Sequence, residues 1–135
     1  MTLNIYTDGG SKGNPGQSAI GIVAYVDERE IFRHREDIGI ATNNFAEYSA
    51  VLKALELLKT QITNYKYPIT KVIFHSDSQL MVNQLNGRYK VKNKVIQNLI
   101  FQIRGLEVEI GLPVYYKYIP RELNKVADGL VNQFV

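Results

Sequence analysis

Four carboxylates, Asp8, Glu47, Asp77 and Asp128, stand where a folded chain could gather them. Asp8 closes the alternating run Leu3-Asn4-Ile5-Tyr6-Thr7-Asp8 and meets the glycine-rich segment Gly9 to Gly16, read here as a loop. Each acid also has an ordinary local explanation. Asp8-Gly9 is a turn signal, and Glu47, three residues after Asn44, fits a capping box. Asp77, between Ser76 and Ser78, fits a helix N-cap. Asp128 flanks the apolar stripe of a final helix, one face of which it shares with Asn124 at i−4 and Arg121 at i−7. In α/β sheets, however, functional groups collect outside the carboxyl ends of strands and at the helix starts beside them, where Asp8, Asp77 and Glu47 fall. Carboxylates brought together repel unless cations neutralise them. Cysteine is absent and His34 and His75 are the only histidines. An all-oxygen donor set suits Mg²⁺ better than zinc. His75, two residues before Asp77 in a strand pattern, reads as a packed strand residue rather than a ligand.

The elements that must position these acids follow from periodicity. Strands are expected over about Leu3–Asp8, Ser18–Val26, Ile31–Ile40, Lys71–Ser76 and Val114–Ile119. The first three are joined too closely for parallel crossovers and must form antiparallel hairpins. Tyr48, Val51, Leu52, Leu55 and Leu58 share a helical stripe that fades by about Thr63. A short helix starts near Ser78, and a longer one carries Ile96, Leu99, Ile103 and Ile110 until Gly111 and Pro113 stop it. Leu123, Val126, Ala127, Leu130, Val131 and Phe134 form the last stripe. The order β-β-β-α-β-α-α-β-α implies an α/β fold: a five-stranded mixed sheet, three antiparallel strands then parallel ones, with helices on both faces.

Composition bounds the rest. The 135 residues suit one domain, 1–135, and 45% hydrophobic content excludes wholesale disorder. No run approaches the roughly 20 apolar residues that span a bilayer, so no membrane association is expected. The start shows no secretory signal pattern, and the lack of cysteine fits a cytoplasmic address. The net charge is +3, yet Ser78 to Leu106 contains no acid while holding Arg88, Lys90, Lys92, Lys94 and Arg104. Such a field can hold a polyanion.

Four blocks carry a resemblance. They are Tyr6-Thr7-Asp8-Gly9-Gly10-Ser11 with Gly13-Asn14-Pro15-Gly16; Thr42-Asn43-Asn44 with Glu47; Ser76-Asp77-Ser78-Gln79; and Pro120-Arg121-Glu122 with Asn124, Ala127 and Asp128. In that order, and over nearly the whole chain, they resemble the type 1 ribonuclease H (ribonuclease HI) family. The resemblance implies a ribonuclease H-like fold. It also implies endonucleolytic hydrolysis of the RNA strand of RNA/DNA hybrids by two-metal-ion catalysis, leaving 3′-hydroxyl and 5′-phosphate ends. Asp8, Glu47, Asp77 and Asp128 then carry over as catalytic and metal-binding residues for two Mg²⁺ ions, with Mn²⁺ as an alternative, and Asp8 bridging. Asn14, Asn43, Asn44 and Gln79 carry over as minor-groove and 2′-hydroxyl contacts, Thr42 as a holder of DNA-strand phosphate, and Asn124 as a further substrate contact.

Two departures bear on function. The tryptophan-containing basic protrusion of many members is missing, placing the chain nearest the protrusion-less branch, where hybrid affinity must lean on Arg88, Lys90, Lys92 and Lys94. The family's histidine before the last acidic helix is also missing, and Arg121 is the candidate for its catalytic role. A monomer acting on hybrid, with double-stranded RNA as a second possible substrate, is the expected form. The alternatives are a catalytically weak or silent relative that binds hybrid or double-stranded RNA, and a phosphoacceptor domain with an acidic Mg²⁺ pocket. The opening hairpins argue against the phosphoacceptor, whose fold begins β-α-β.

Overall fold

The computed structural model describes residues 1–61 and 68–133. Strands β1 (Thr2–Gly13), β2 (Gly16–Val26) and β3 (Arg29–Ala41) come first, followed by helix α1 (Asn43–Gln61) and strand β4 (Lys71–Ser76). Helices α2 (Gln79–Leu85) and α3 (Lys94–Ile110), strand β5 (Val114–Tyr118) and helix α4 (Lys125–Val131) complete the order expected from periodicity. The sheet runs β3-β2-β1-β4-β5. β1 pairs antiparallel with β2, and β2 with β3, while β1–β4 and β4–β5 are parallel.

Strand alternation decides which face is buried. Leu3 and Ile5, Ala24 and Val26, Val72 and Phe74, and Tyr116 form one core with Tyr48, Val51, Leu55 and Leu58 of α1 and with Ile96, Leu99 and Ile103 of α3. Each fully buried aliphatic side chain there contributes about 1.5–3 kcal/mol. Two glycines show that helices cover both faces. A Cβ on Gly9 would lie 2.3 Å from the backbone of Ala46 in α1, and one on Gly21 would lie 2.5 Å from the Ala127 carbonyl oxygen in α4. Only glycine permits backbones this close.

Two expectations need correction. The glycine-rich segment is not a loop, because β1 stays paired with β2 as far as Gly13↔Gly16. Asp8 is therefore inside a strand. Pairing of β1 with β4 nevertheless stops at Tyr6↔His75, so Asp8 still lies just beyond the carboxyl end of the parallel pair.

The last helix also starts later than its apolar stripe suggests. Arg121–Leu123 form a 3₁₀ turn, and the Asn124 side chain is buried against the Thr7 carbonyl, 2.9 Å away, before α4 begins. Leu123 is left 64% exposed rather than in the core. Phe134 of that stripe and Thr63, the expected end of the first helix, lie outside the described residues. His75 is a packed strand residue: it stacks on Tyr6 with ring centroids 4.5 Å apart and hydrogen-bonds Asn4.

Candidate active site

Four elements bring the acids together. Asp8 comes from β1, Asp77 from the residue after β4, Glu47 from the second turn of α1 and Asp128 from α4. Asp8, Glu47 and Asp77 each offer an oxygen, and these atoms lie within 4.8 Å of one another. Asp128 stands close enough for its charge to act on the Asp8 carboxyl. All four line one cavity of about 590 Å³.

The local reasons differ from those the sequence suggests. Thr42, not Asn43 or Asn44, caps α1: its Oγ1 accepts the Phe45 N–H at 3.1 Å. Glu47 is thus released from any capping box and instead accepts the Gly9 N–H through Oε1 at 2.8 Å, across the close approach that Gly9 allows. Ser78 caps α2, accepting the Met81 N–H, so Asp77 is not needed as a cap and faces the cavity.

Crowding shows in the acidities. Burial first, then the negative charges of Asp77 and Asp128, push the Asp8 carboxyl from an ordinary 3.8 up to about 8, against the opposing Gly9 amide. Burial, followed by Asp8 and Asp77, also raises Glu47 well above the usual carboxylate range. Arg121 reaches Asp128 Oδ1 at 3.4 Å, but with 74% of its side chain exposed its charge is heavily screened. Oxygen donors from separate elements, two of them driven toward the neutral form by burial and by each other's charge, fit a hard divalent cation.

The remaining expected site residues divide into three sets. Asn14 and Asn43 meet at the cavity rim: the Asn43 N–H donates to Asn14 Oδ1 at 3.0 Å, and Asn43 Oδ1 accepts the Ser11 N–H at 2.8 Å. Gln79 is exposed at the start of α2, and Asn44 is half-buried in the first turn of α1. Asn124, by contrast, is 1% exposed and holds α4 to β1. Arg88, Lys90 and Lys92 are exposed on the α2–α3 connection, outside the cavity lining. That connection is held by side chains: Gln84 Nε2 donates to the Lys90 carbonyl and Gln97 Nε2 to the Val91 carbonyl. Asn132 and Arg35 also line the cavity, although neither stands out in the sequence. The i+4 spacing of Asn132 from Asp128 on a helix is the legible signal for it.

The RNase H family profile matches residues 1–133. The chain belongs to the RNase H family. Among relatives of this family, a bifunctional protein of Mycobacterium tuberculosis is 34% identical over 134 residues, 98% of this chain but 35% of that protein. The chain thus spans about a third of the length of that relative. Ribonuclease HI of Halobacterium salinarum is 32% identical over 133 residues, covering 97% of this chain and 63% of the relative. In three dimensions the fold is similar to LC11-RNase H1, isolated from compost and solved in complex with an RNA/DNA hybrid. The TM-score is 0.88 at 38% identity, covering 96% of this chain and 94% of that one. Among the described residues, no helix is long and apolar enough to cross a membrane.

Proposed function

We propose that residues 1–135 act as one ribonuclease H domain that hydrolyses the RNA strand of RNA/DNA hybrids, leaving 3′-hydroxyl and 5′-phosphate ends. The carrying observation is the convergence of the oxygens of Asp8, Glu47 and Asp77 within 4.8 Å, with Asp128 alongside, in a chain of this family. Asp8, Glu47, Asp77 and Asp128 would hold two Mg²⁺ ions, with Mn²⁺ as a substitute. When bound, such ions activate water and stabilise the departing oxygen of an in-line displacement.

The chain's own residues account for the rest. The Gly9 N–H holds Glu47 toward Asp8. The Ser11–Asn43–Asn14 hydrogen bonds fix polar side chains at the rim, where a ribose 2′-hydroxyl can both donate and accept. Asn44 and Gln79 extend that rim, Thr42 holds a phosphate of the DNA strand, and the exposed Arg88, Lys90 and Lys92 add affinity for the hybrid. Arg121, at the mouth, contacts phosphate or eases product release. Asn124 acts by docking α4 rather than by touching substrate. The working form is a cytoplasmic monomer, since one chain supplies every group of the cluster.

The test is cleavage of labelled hybrid, double-stranded RNA and DNA with Mg²⁺, Mn²⁺ or EDTA, comparing wild type with Asp8→Asn. Expected are metal-dependent cuts in the RNA strand of the hybrid, abolished by EDTA and by the substitution. Intact hybrid in every lane with folded protein would replace the proposal with that of a silent binding relative.

A further inference from the structure

The end of α4 carries an arrangement that the cleavage chemistry does not by itself require. Asn132, at the C-cap of the helix, turns its side chain back one turn. Its Nδ2 lies 3.0 Å from Asp128 Oδ1 and 2.9 Å from the Asp128 carbonyl. Its backbone N–H also donates to that carbonyl at 3.0 Å. Arg121, from the 3₁₀ turn before α4, reaches the same Oδ1 at 3.4 Å. The helix end is in turn tied to the edge strand, because Arg35 Nε of β3 donates to the Leu130 carbonyl at 2.8 Å. Arg35 shares a cross-strand row with Gly21 and Asp8, so the clamp and the acid cluster stand on one line across three strands.

Two donors on one carboxylate oxygen fix the plane of the group and leave the other oxygen to a cation. A helix of 7 residues has too little intrinsic stability to hold a side chain to that tolerance unaided. We propose that Asn132 is a positioning residue that sets the orientation of Asp128 and thereby the affinity of the metal position Asp128 serves. This deepens the metal-dependent reading above and rests on it. Arg121 is the weaker of the two donors, its contact being 3.4 Å against 3.0 Å for Asn132.

The test titrates Mn²⁺ into the full chain by calorimetry, without nucleic acid, for wild type, Asn132→Ala, Asn132→Ser and Asp128→Asn. Hybrid cleavage is followed in parallel against Mg²⁺ concentration. Asn132→Ala is expected to weaken the weaker Mn²⁺ step by about 10-fold, the size typical when a partner that orients a metal ligand is removed. The Mg²⁺ concentration for half-maximal cleavage should rise by a similar factor, with KM for hybrid unchanged and kcat recovered at high Mg²⁺. Asn132→Ser, which keeps a donor, should recover part of the affinity.

Unchanged Mn²⁺ binding in folded Asn132→Ala, with Asp128→Asn still impaired, overturns the positioning role while leaving the site reading intact. Unchanged binding and cleavage in Asp128→Asn as well overturns both. Should Asn132→Ala lose its cooperative melt, the near-isosteric Asn132→Leu, which has no donor, carries the test: binding weakened about 10-fold supports the positioning role, and affinity within twofold of wild type overturns it.

Discussion

At the residue scale, the acidity of Asp8 links the site to stability. Its carboxyl titrates near 8 in the folded protein against about 3.8 ordinarily. Between those values the folded state holds a proton that the unfolded state has released, so the unfolded state binds fewer protons and stability falls as pH rises. Glu47, raised for the same reason of burial, acts in the same direction. The metal-free protein should therefore melt at lower temperature as pH rises toward 8, most steeply above about pH 6.5, because below that the buried His75, its pKa held down to about 4, opposes the trend. Asp8→Asn should flatten that slope and melt higher than wild type at pH 8, while losing cleavage. Added Mg²⁺ should raise the wild-type melting temperature more at pH 8 than at pH 5.5, since binding must displace the proton. Thermal melts across pH with EDTA or Mg²⁺ check all three statements. A wild-type profile that rises between about pH 6.5 and pH 8 would contradict them.

At the element scale, the site depends on how near two helices come to the sheet. Gly21 sits beside Asp8 in the β1–β2 register and lies under α4, where a Cβ would meet the Ala127 carbonyl oxygen at 2.5 Å and Leu130 Cβ at 2.9 Å. The first of these is backbone and cannot rotate aside. Gly21→Ala should cost about 1–3 kcal/mol, the usual range for overpacking, by lifting α4 from the sheet. Asp128 and Asn132 travel with that helix, so cleavage should fall more than the loss of folded protein explains. Urea unfolding alongside activity per folded molecule measures both. Full activity with unchanged stability would mean that α4 has slack there. The buried Asn124 works in the same sense, tying the start of α4 to β1 through the Thr7 carbonyl.

At the scale of the whole molecule, charge is distributed in two zones. The acids gather in the cavity, while Arg88, Lys90 and Lys92 stand exposed on the α2–α3 connection, held there by Gln84 and Gln97. Gln84 also accepts a hydrogen bond from the buried Tyr48 hydroxyl at 2.5 Å, which links the connection to the core through α1. A polyanion held by such a zone releases counterions on binding, so affinity falls with salt by a slope of roughly 0.9 per neutralised phosphate on a duplex. Replacing Arg88, Lys90 and Lys92 together by alanine should reduce that slope by about 2–3 in a salt series of hybrid binding, since each removed cation leaves one phosphate un-neutralised. Parallel lines for wild type and variant would remove these cations from the binding surface. Melting temperature should change little, because all three are surface residues.

The sequence by itself determined the order of elements, the hairpin start, and the types of group available for chemistry. Strand alternation, helical stripes and caps such as Ser78 are local patterns, set by neighbours a few residues apart. The tertiary structure decided what depends on distant partners. Gly9 meets Glu47 across 38 residues, which decided between the two roles open to Glu47, cap or site carboxylate, and left Thr42 as the cap. Thr7 meets Asn124 across 117 residues, which buried an asparagine that the family resemblance placed on the substrate. β1 continues through its glycines because β2 supplies hydrogen-bond partners as far as Gly16, and no local signal marks that pairing. Propensity is a sum over near neighbours. A cluster of like charges, by contrast, exists only once register and helix approach have set the distances, and its raised acidities follow from burial that composition cannot specify.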